Sequence, residues 1–170
     1  MRLTYDNKRD PSEIITATKK ADLADTAHKS ASNKLVLGEN LSVLKALLDD
    51  FSLAGKIDLD YIDPPFATNG TFKIGKDRAN SVSASNEDDI AYSDTLVGHE
   101  FLEFLRERLV FIRELMSSQA SIYLHIDYKI GHYVKVIMDE VFGRKNFRND
   151  ITRIKCNPKN FQRAAYQEYF

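Results

Sequence analysis

Short apolar runs alternate with amphipathic segments along this chain, and this alternation constrains the fold more than any other feature of the sequence. Apolar runs typical of buried strands occupy residues 34–37, 56–62, 120–126 and 150–155. Apolar residues recur with helical spacing in residues 41–51, 100–117 and 128–142. Strands that alternate with helices favour right-handed crossovers and parallel pairing. The sequence therefore predicts an α/β fold with a mostly parallel sheet.

Two stretches fall outside this pattern. Residues 1–33 have mixed charge and weak periodicity, so we interpret them as an N-terminal extension with a short helix around residues 13–23. Residues 67–98 form a long polar segment, and a structureless connection of that length is uncommon in a compact domain. Such connections are usually functional or disordered. Residues 34–170, which include this polar segment, are predicted to form one folded region.

Size and composition exclude several classes of protein. A length of 170 residues suits one domain, and 43% hydrophobic with 29% charged residues is ordinary for a soluble globular protein. No stretch approaches the roughly 18 apolar residues of a membrane span, and the first 20 residues lack the apolar run of a signal peptide. The single cysteine, Cys156, excludes an internal disulfide and offers no metal cluster. We therefore expect a cytoplasmic protein without a metal site.

Basic residues are concentrated near the C-terminal end, although the net charge of the chain is only −1. The cluster comprises Arg144, Lys145, Arg148, Arg153, Lys155, Lys159 and Arg163, with Asp150 as the one acid among them. A local basic surface can bind a phosphate backbone even when the total charge is near zero. The alternative interpretation is a solvated junction between a helix and a strand.

Polar residues follow three of the predicted strands at the point where each strand ends. Residues 38–40 follow the first strand, an Asp-Pro-Pro-Phe motif at residues 63–66 follows the second, and Asp127 follows the third. In parallel sheets, ligands bind beyond the carboxyl ends of the strands. We therefore expect these three sites to converge on one rim of the sheet.

The motif at residues 63–66 has the residue types that methylation of an exocyclic amine requires. Pro64 and Pro65 hold a rigid turn after the strand, because proline locks φ and lacks an N–H. The Asp63 carboxylate and the Pro64 carbonyl could then accept both hydrogens of one NH2 group, which favours a nucleophilic nitrogen in line with a methyl donor. Phe66 offers a ring on which a base flipped out of the duplex could stack. The structural alternative is a plain turn that terminates the strand.

Longer stretches around this motif resemble one family. The sequence LVLGENLSVLKALL, followed by KIDLDYIDPPFAT, is similar to the start of the catalytic region of bacterial amino-methyltransferases of the beta arrangement. These include the modification subunits of type III restriction systems, and the resemblance covers roughly residues 34–166. It implies a Rossmann-like fold, S-adenosylmethionine as cofactor and double-stranded DNA as substrate. The aspartate at the head of the motif implies methylation of adenine N6 rather than cytosine N4.

The resemblance also implies a role for each residue of the motif and of the preceding turn. Residues 63–66 would form the catalytic site, in which Asp63 and the Pro64 carbonyl hold the amine and Phe66 stacks on the base. Glu39 and Asn40 resemble the acidic turn beside the bound cofactor, with Asp63 also close to it. A helix cap is the structural alternative for Glu39 and Asn40.

Further residues are expected around the target base. His125 and Asp127, in YLHID, resemble the segment that lines the target pocket, and Phe161 and Tyr166 resemble residues that enclose the flipped base. His125 could instead be an ordinary strand histidine, and Asp127 could be a helix cap. Phe161 and Tyr166 could be packing residues.

The sequence departs from the family pattern in two respects. Asp60 lies within a predicted strand where the family carries a bulky aliphatic residue, so we expect reduced stability or a raised pKa there. The glycine-rich cofactor loop of the family and its target-recognition insert have no counterpart in these 170 residues. We therefore expect a truncated catalytic region that is inactive alone.

Several functions stay open on the sequence. The first hypothesis is a fragment of an adenine-N6 methyltransferase from a restriction-modification system, with a restriction subunit as partner. The second is a split enzyme that a complementing methyltransferase chain restores. The others are a non-catalytic remnant that binds nucleic acid or a subunit, and a protein glutamine N-methyltransferase.

Overall fold

The computed structural model describes residues 2–23, 33–64, 71–75, 78–80, 89–93, 98–155 and 166–169. The helices are α1 (Pro11–Ala17), α2 (Asn40–Asp49), α3 (Gly98–Leu115) and α4 (Tyr128–Met138). The strands are β1 (Ile57–Ile62), β2 (Thr71–Gly75), β3 (Arg78–Asn80), β4 (Asp89–Ser93), β5 (Met116–Leu124), β6 (Ile126–Asp127), β7 (Thr152–Lys155) and β8 (Tyr166–Tyr169). A π-helical turn, Asp139–Gly143, and a 3-10 turn, Arg144–Asn146, continue α4.

A parallel pair of strands, β1 and β5, positions the motif at residues 63–66. The register runs from Leu59 opposite Ser121 to Ile62 opposite Leu124. One face of this pair contributes to a hydrophobic core with α3 and α4. Buried residues of that core are Phe101, Leu102, Leu105, Leu109, Leu124, Ile126, Val134 and Ile137. The parallel pair with its covering helices confirms the predicted α/β class, a Rossmann-like arrangement.

Helix α3 has the apolar spacing that the sequence predicted, and its end leads straight into β5. The carbonyl of Leu115 accepts a hydrogen bond from the backbone N–H of Lys56 at 2.9 Å, and that of Glu114 accepts one from Gly55 at 3.0 Å. Gly55 makes this approach with φ +67°, a conformation that favours glycine. Because these bonds satisfy the last carbonyls of the helix, β5 can begin at Met116, earlier than predicted.

The N-terminal residues pack on α3. Helix α1 begins at Pro11, where proline suits the first helical turn, and the Asp10 side chain accepts a hydrogen bond from the Ser12 N–H at 2.9 Å. Ile14 is fully buried in a cluster with Val110 and Phe111 of α3. The helix predicted around residues 13–23 therefore exists, but it starts earlier and ends at Ala17.

The strand predicted at residues 34–37 was wrong. These residues are irregular, and the side chains of Leu35 and Leu37 are fully exposed. No strand in the described ranges pairs with them. A strand forms only where its N–H and C=O groups have a ladder partner, and an apolar run does not supply one.

Two antiparallel sheets contain strands that periodicity did not predict, namely β2, β3, β4 and β8. Strands β2, β3 and β4 lie within the polar segment 67–98 and pair in the order β3-β2-β4, so this segment is not a structureless connection. The strand predicted at residues 150–155 is confirmed as β7, but it pairs antiparallel with β8. Strand β8 also pairs with β6, so the order is β6-β8-β7. In the part of the chain that the structure describes, no helix has the length and apolarity to cross a lipid bilayer.

Candidate active site

Asp63 and His125 meet at the carboxyl end of the parallel pair. Ile62 and Leu124 are the last residues in register, so the next residue of each chain segment lies beside the other. The N–H of His125 donates to the Ile62 carbonyl at 2.9 Å. The side-chain atoms His125 Nδ1 and Asp63 Oδ1 lie 3.0 Å apart. The Asp63 carboxylate is 59% exposed, whereas the His125 imidazole is only 13% exposed. The carboxylate can therefore accept hydrogen bonds from solvent or a ligand, while the ring beside it is enclosed.

The position of Asp63 suits a ligand that carries hydrogen-bond donors. An ionised carboxylate is an acceptor only, with about four lone-pair sites on two oxygens. The contact with His125 uses one of them, which leaves acceptor capacity for a ligand. Pro64 follows directly and is partly buried. Pro65 and Phe66 lie outside the described residues, so base stacking on Phe66 stays a prediction.

Asp127 caps α4. Its side chain accepts a hydrogen bond from the Lys129 N–H at 2.9 Å, as expected of an N-cap aspartate. It also lies in β6, whose neighbour β8 starts with Tyr166. This pairing brings the segment that carries Tyr166 to the strand that carries Asp127. Phe161 lies outside the described residues, and contact of Asp127, Phe161 or Tyr166 with a base stays a prediction.

Glu39 and Asn40 form a separate cluster with Arg108 of α3. Glu39 caps α2 by accepting from the N–H groups of Leu41 at 3.1 Å and Ser42 at 2.8 Å. Arg108 donates to Glu39 Oε1 and to Asn40 Oδ1, both at 2.7 Å. Among the described contacts, these two residues bind α2 and Arg108 rather than Asp63. The expected convergence of three polar sites is therefore seen directly only between the ends of β1 and β5.

Arg108 and the N-terminal end of α2 determine the charge of Glu39. Partial burial favours the neutral acid, but the two backbone N–H groups of α2 and the Arg108 guanidinium outweigh it and lower the pKa of Glu39. Glu39 Oε1 accepts two hydrogen bonds and Oε2 one, and the Ser42 side chain provides a further hydrogen bond to the carboxylate. The acceptor sites of Glu39 are therefore engaged within the protein, although the side chain is 56% exposed. Arg108 itself was not predicted, because nothing in local spacing links residues 68 positions apart.

Asp60 lies in β1 just before the candidate site. Its Oδ2 atom is buried and has no hydrogen-bond partner among the described residues. Burial raises the pKa of Asp60, as the sequence predicted. Its partner in the β1–β5 register is Ile122, an apolar residue that packs against the core.

Four basic residues of the C-terminal cluster face solvent. Arg144, Lys145, Arg148 and Arg153 are all exposed, whereas Lys159 and Arg163 lie outside the described residues. No group of three or more His, Cys, Asp or Glu side chains in the described ranges is arranged to hold a metal ion.

Comparison with known proteins identifies related sequences. A family model described as DNA methylase matches residues 57–169. The chain is 35% identical to the type II methyltransferase M.EcaI of Enterobacter cloacae over 164 residues, which is 93% of this chain and 33% of that protein. It is 27% identical to the Mod subunit of the type III restriction-modification enzyme EcoP15I of Escherichia coli, over 94% of this chain and 27% of that subunit.

A third relative extends the same pattern. The type II methyltransferase M.KpnI of Klebsiella pneumoniae is 34% identical over 133 residues, or 77% of this chain and 28% of that protein. The chain thus spans about a third or less of the length of each of these three relatives.

Proposed function

This chain belongs to the DNA methylase family, and we propose that it forms the target-base side of an adenine-N6 DNA methyltransferase of a restriction-modification system. The observation that carries the proposal is the Asp63 carboxylate, half exposed at the end of β1 and held 3.0 Å from His125 Nδ1. A donor-bearing ligand can approach this acceptor from solvent. The relatives with the longest matches are named as methyltransferases or Mod subunits of restriction-modification enzymes.

The proposed chemistry on the acceptor side is direct methyl transfer to the exocyclic amine. Asp63 and the Pro64 carbonyl each accept one hydrogen of the adenine N6 amine, which localises the lone pair on nitrogen. As the new N–C bond forms and the bond from the methyl group to the donor sulfur breaks, positive charge would develop on that nitrogen, and the nearby carboxylate would stabilise it. One of the hydrogen-bonded protons would then pass to the Asp63 carboxylate and from there to water, which leaves a neutral methylated amine. Phe66 stacks on the base and offsets part of the cost of flipping it out of the duplex.

S-adenosylmethionine, when bound, supplies a methyl group activated on a positively charged sulfur. Family membership implies a methyl donor, and Glu39 is the described residue that fits part of this one. One ribose hydroxyl would replace the Ser42 side chain as a donor to its carboxylate, while Arg108, which also binds Asn40, keeps the carboxylate in place. The fit is to one hydroxyl, so the other contacts to the donor come from elsewhere in the enzyme.

Double-stranded DNA is the proposed partner of the exposed basic residues. Arg144, Lys145, Arg148 and Arg153 would contact phosphates, which position the duplex without reading its sequence. The protein partners consistent with this function are a restriction subunit and a complementing methyltransferase chain. We place the reaction in the cytoplasm, where the chromosome of a bacterium lies.

A chimera tests the function. Residues of this chain would replace the matching third of M.EcaI, and methylated nucleosides would be quantified by mass spectrometry after incubation with S-adenosylmethionine and DNA. We expect N6-methyladenine from the chimera and at least a roughly 10²-fold loss in its Asp63→Ala variant, comparable to removal of one preorganised electrostatic group.

The matched control is Asp58→Asn. Asp58 is an exposed aspartate of the same strand whose carboxylate accepts from Ser117 Oγ at 2.7 Å, remote in role from the site. This variant should retain activity. Formation of N4-methylcytosine instead, or full activity of Asp63→Ala, would contradict the proposal.

A further inference from the structure

We propose that His125 is a positioning residue that orients the Asp63 carboxylate toward the target amine. This inference rests on the proposed function for its consequence, but the contact itself is a property of this chain. The two residues are 62 positions apart and meet only because β1 and β5 pair in parallel.

The backbone of His125 is held by strand β1 and by buried neighbours. Its N–H is bound to the Ile62 carbonyl at 2.9 Å, and its chain neighbours Leu124 and Ile126 are 7% and 3% exposed in the core. The imidazole is largely enclosed. Asp63, by contrast, follows the last residue of β1, and its carboxylate is mostly in solvent. The contact therefore ties an exposed acceptor to an enclosed ring.

The chemistry of the two groups determines where the hydrogen lies. An ionised carboxylate cannot donate, so the 3.0 Å contact requires the hydrogen on Nδ1 of His125. A neutral ring is thereby held in the Nδ1–H tautomer, as a carboxylate partner commonly does for imidazole. With Oδ1 engaged, the plane of the carboxylate is set, and its remaining lone pairs can meet an amine hydrogen at one defined position.

The expected contribution is geometric. Methyl transfer needs the amine nitrogen in line with the donor at near-attack distance, and misplacement by about 1 Å can cost about 10²-fold in rate. A freely rotating Asp63 would bind the amine in several orientations, of which few are productive. His125 raises the productive fraction without contacting the reacting atoms.

The first experiment uses the whole 170-residue chain and needs no activity. Long-range 1H–15N correlation spectra of 15N-histidine-labelled protein report the tautomer of each of the four histidines, and the His125→Asn variant assigns the signal. We expect the Nδ1–H tautomer at His125 and its loss in Asp63→Ala. A tautomer protonated at Nε2 in the unsubstituted protein, or a signal that Asp63→Ala leaves unchanged, would overturn the inference.

The second experiment separates positioning from a merely structural role. In the M.EcaI chimera, His125→Leu is expected to lower kcat by about 10- to 100-fold with little change in KM for DNA. His125→Asn, whose side-chain amide nitrogen lies near the position of Nδ1, should recover most of that loss. His132→Asn is the matched control, because His132 is exposed on α4 and its ring contacts Tyr133 rather than Asp63.

The outcomes distinguish this inference from the proposed function. An inactive chimera together with the Asp63-dependent tautomer would reject the function and keep the contact. Equal loss of kcat in His125→Leu and His125→Asn, or a loss confined to thermal stability, would reject the positioning role while Asp63 remains catalytic.

Discussion

Two regions of this molecule bring charged side chains toward the interior, with opposite results. In α3, Arg106 is 2% exposed and is surrounded by hydrogen-bond partners. In β1, Asp60 is partly buried, and its Oδ2 atom has no partner among the described residues. The two charged groups differ in their hydrogen-bond partners, which at the buried ion pair of α3 include backbone groups of the N-terminal residues.

The α3 region contains a network that residues 2–17 complete. Glu103 accepts from Arg106 Nη2 at 2.7 Å and Nε at 2.8 Å, from the Tyr5 hydroxyl at 2.8 Å and from the Arg9 N–H at 3.0 Å. Burial favours the neutral acid, but these donors outweigh it and lower the pKa of Glu103. Arg106 also donates to the Arg9 carbonyl. The N-terminal residues therefore supply the donors and acceptors that a buried ion pair requires.

Among the described residues, no comparable set of donors surrounds Asp60. Burial is the cause that raises the pKa of Asp60, and no contact in the described ranges offsets it. Its strand neighbour in register is Ile122, which offers only its apolar side chain toward the core. The two regions therefore differ in the hydrogen-bond partners that the described residues supply to the buried atoms.

The largest expected effect comes from breaking the network. Glu103→Gln removes the carboxylate and leaves the Arg106 charge buried without a counter-ion, which should cost about 3–5 kcal/mol of unfolding free energy. Urea denaturation measures it. Replacing both residues, Glu103→Leu with Arg106→Leu, should recover much of the loss, because no unpaired charge then remains.

A surface pair provides the control for that prediction. Glu13 is 59% exposed and lies 3.8 Å from Arg9 Nε. Glu13→Gln should leave the denaturation midpoint unchanged, since exposed ion pairs contribute little. A Glu103→Gln variant as stable as Glu13→Gln would show that the buried network does not hold the N-terminal residues.

The second effect has the opposite sign. Asp60→Ile replaces an unsatisfied carboxylate with an apolar side chain beside Ile122, so it should stabilise the protein by about 1–3 kcal/mol. Denaturant midpoints of the two proteins at pH 7 measure the difference. Unchanged stability of Asp60→Ile would mean that solvent reaches Oδ2 and that the contrast between the regions is smaller than the structure indicates.

Asp60 also makes a specific pH dependence. Because its pKa is raised in the folded state, the unfolded chain ionises first, and stability falls as pH rises from about 4, the ordinary aspartate pKa, through the higher folded value. The stability advantage of Asp60→Asn over the unsubstituted protein should grow across that interval. If the stability difference between Asp60→Asn and the unsubstituted protein were the same at about pH 4 and about pH 7 within measurement error, the raised pKa would be contradicted.

The smallest effect on stability is expected at Glu39, which caps α2 and binds Arg108. Glu39→Ala removes the cap of α2 and a partner of Arg108, which should cost about 1 kcal/mol. Because the pKa of Glu39 is lowered, its contribution is present at neutral pH and is lost as pH falls through the folded value. Thermal melts at neutral and acidic pH measure this, with Glu114→Gln, an exposed acid of α3, as control. Equal losses at both pH values would exclude the ionised cap.

Elements with strong local signals were predicted well from the sequence. Helices α3 and α4 and strands β1 and β5 follow from periodicity, and the double proline marks the end of β1 because proline cannot continue a ladder. The strand predicted at residues 34–37 was wrong, because the run has the composition of a strand but no strand in the described ranges pairs with it. The short strands β2, β3 and β4 were missed because a polar segment carries no period of burial.

Residues close together in the chain were enough to predict α3, α4, β1 and β5 and to place the Asp-Pro-Pro-Phe motif after β1, because these features depend on local spacing. The sequence also indicated that Asp60 would be out of place in its strand. The tertiary structure decided the partners: His125 for Asp63, and Arg108 for Glu39 and Asn40. These contacts join residues more than 60 positions apart, and only the pairing of β1 with β5 and the packing of α2 on α3 bring them within hydrogen-bond distance.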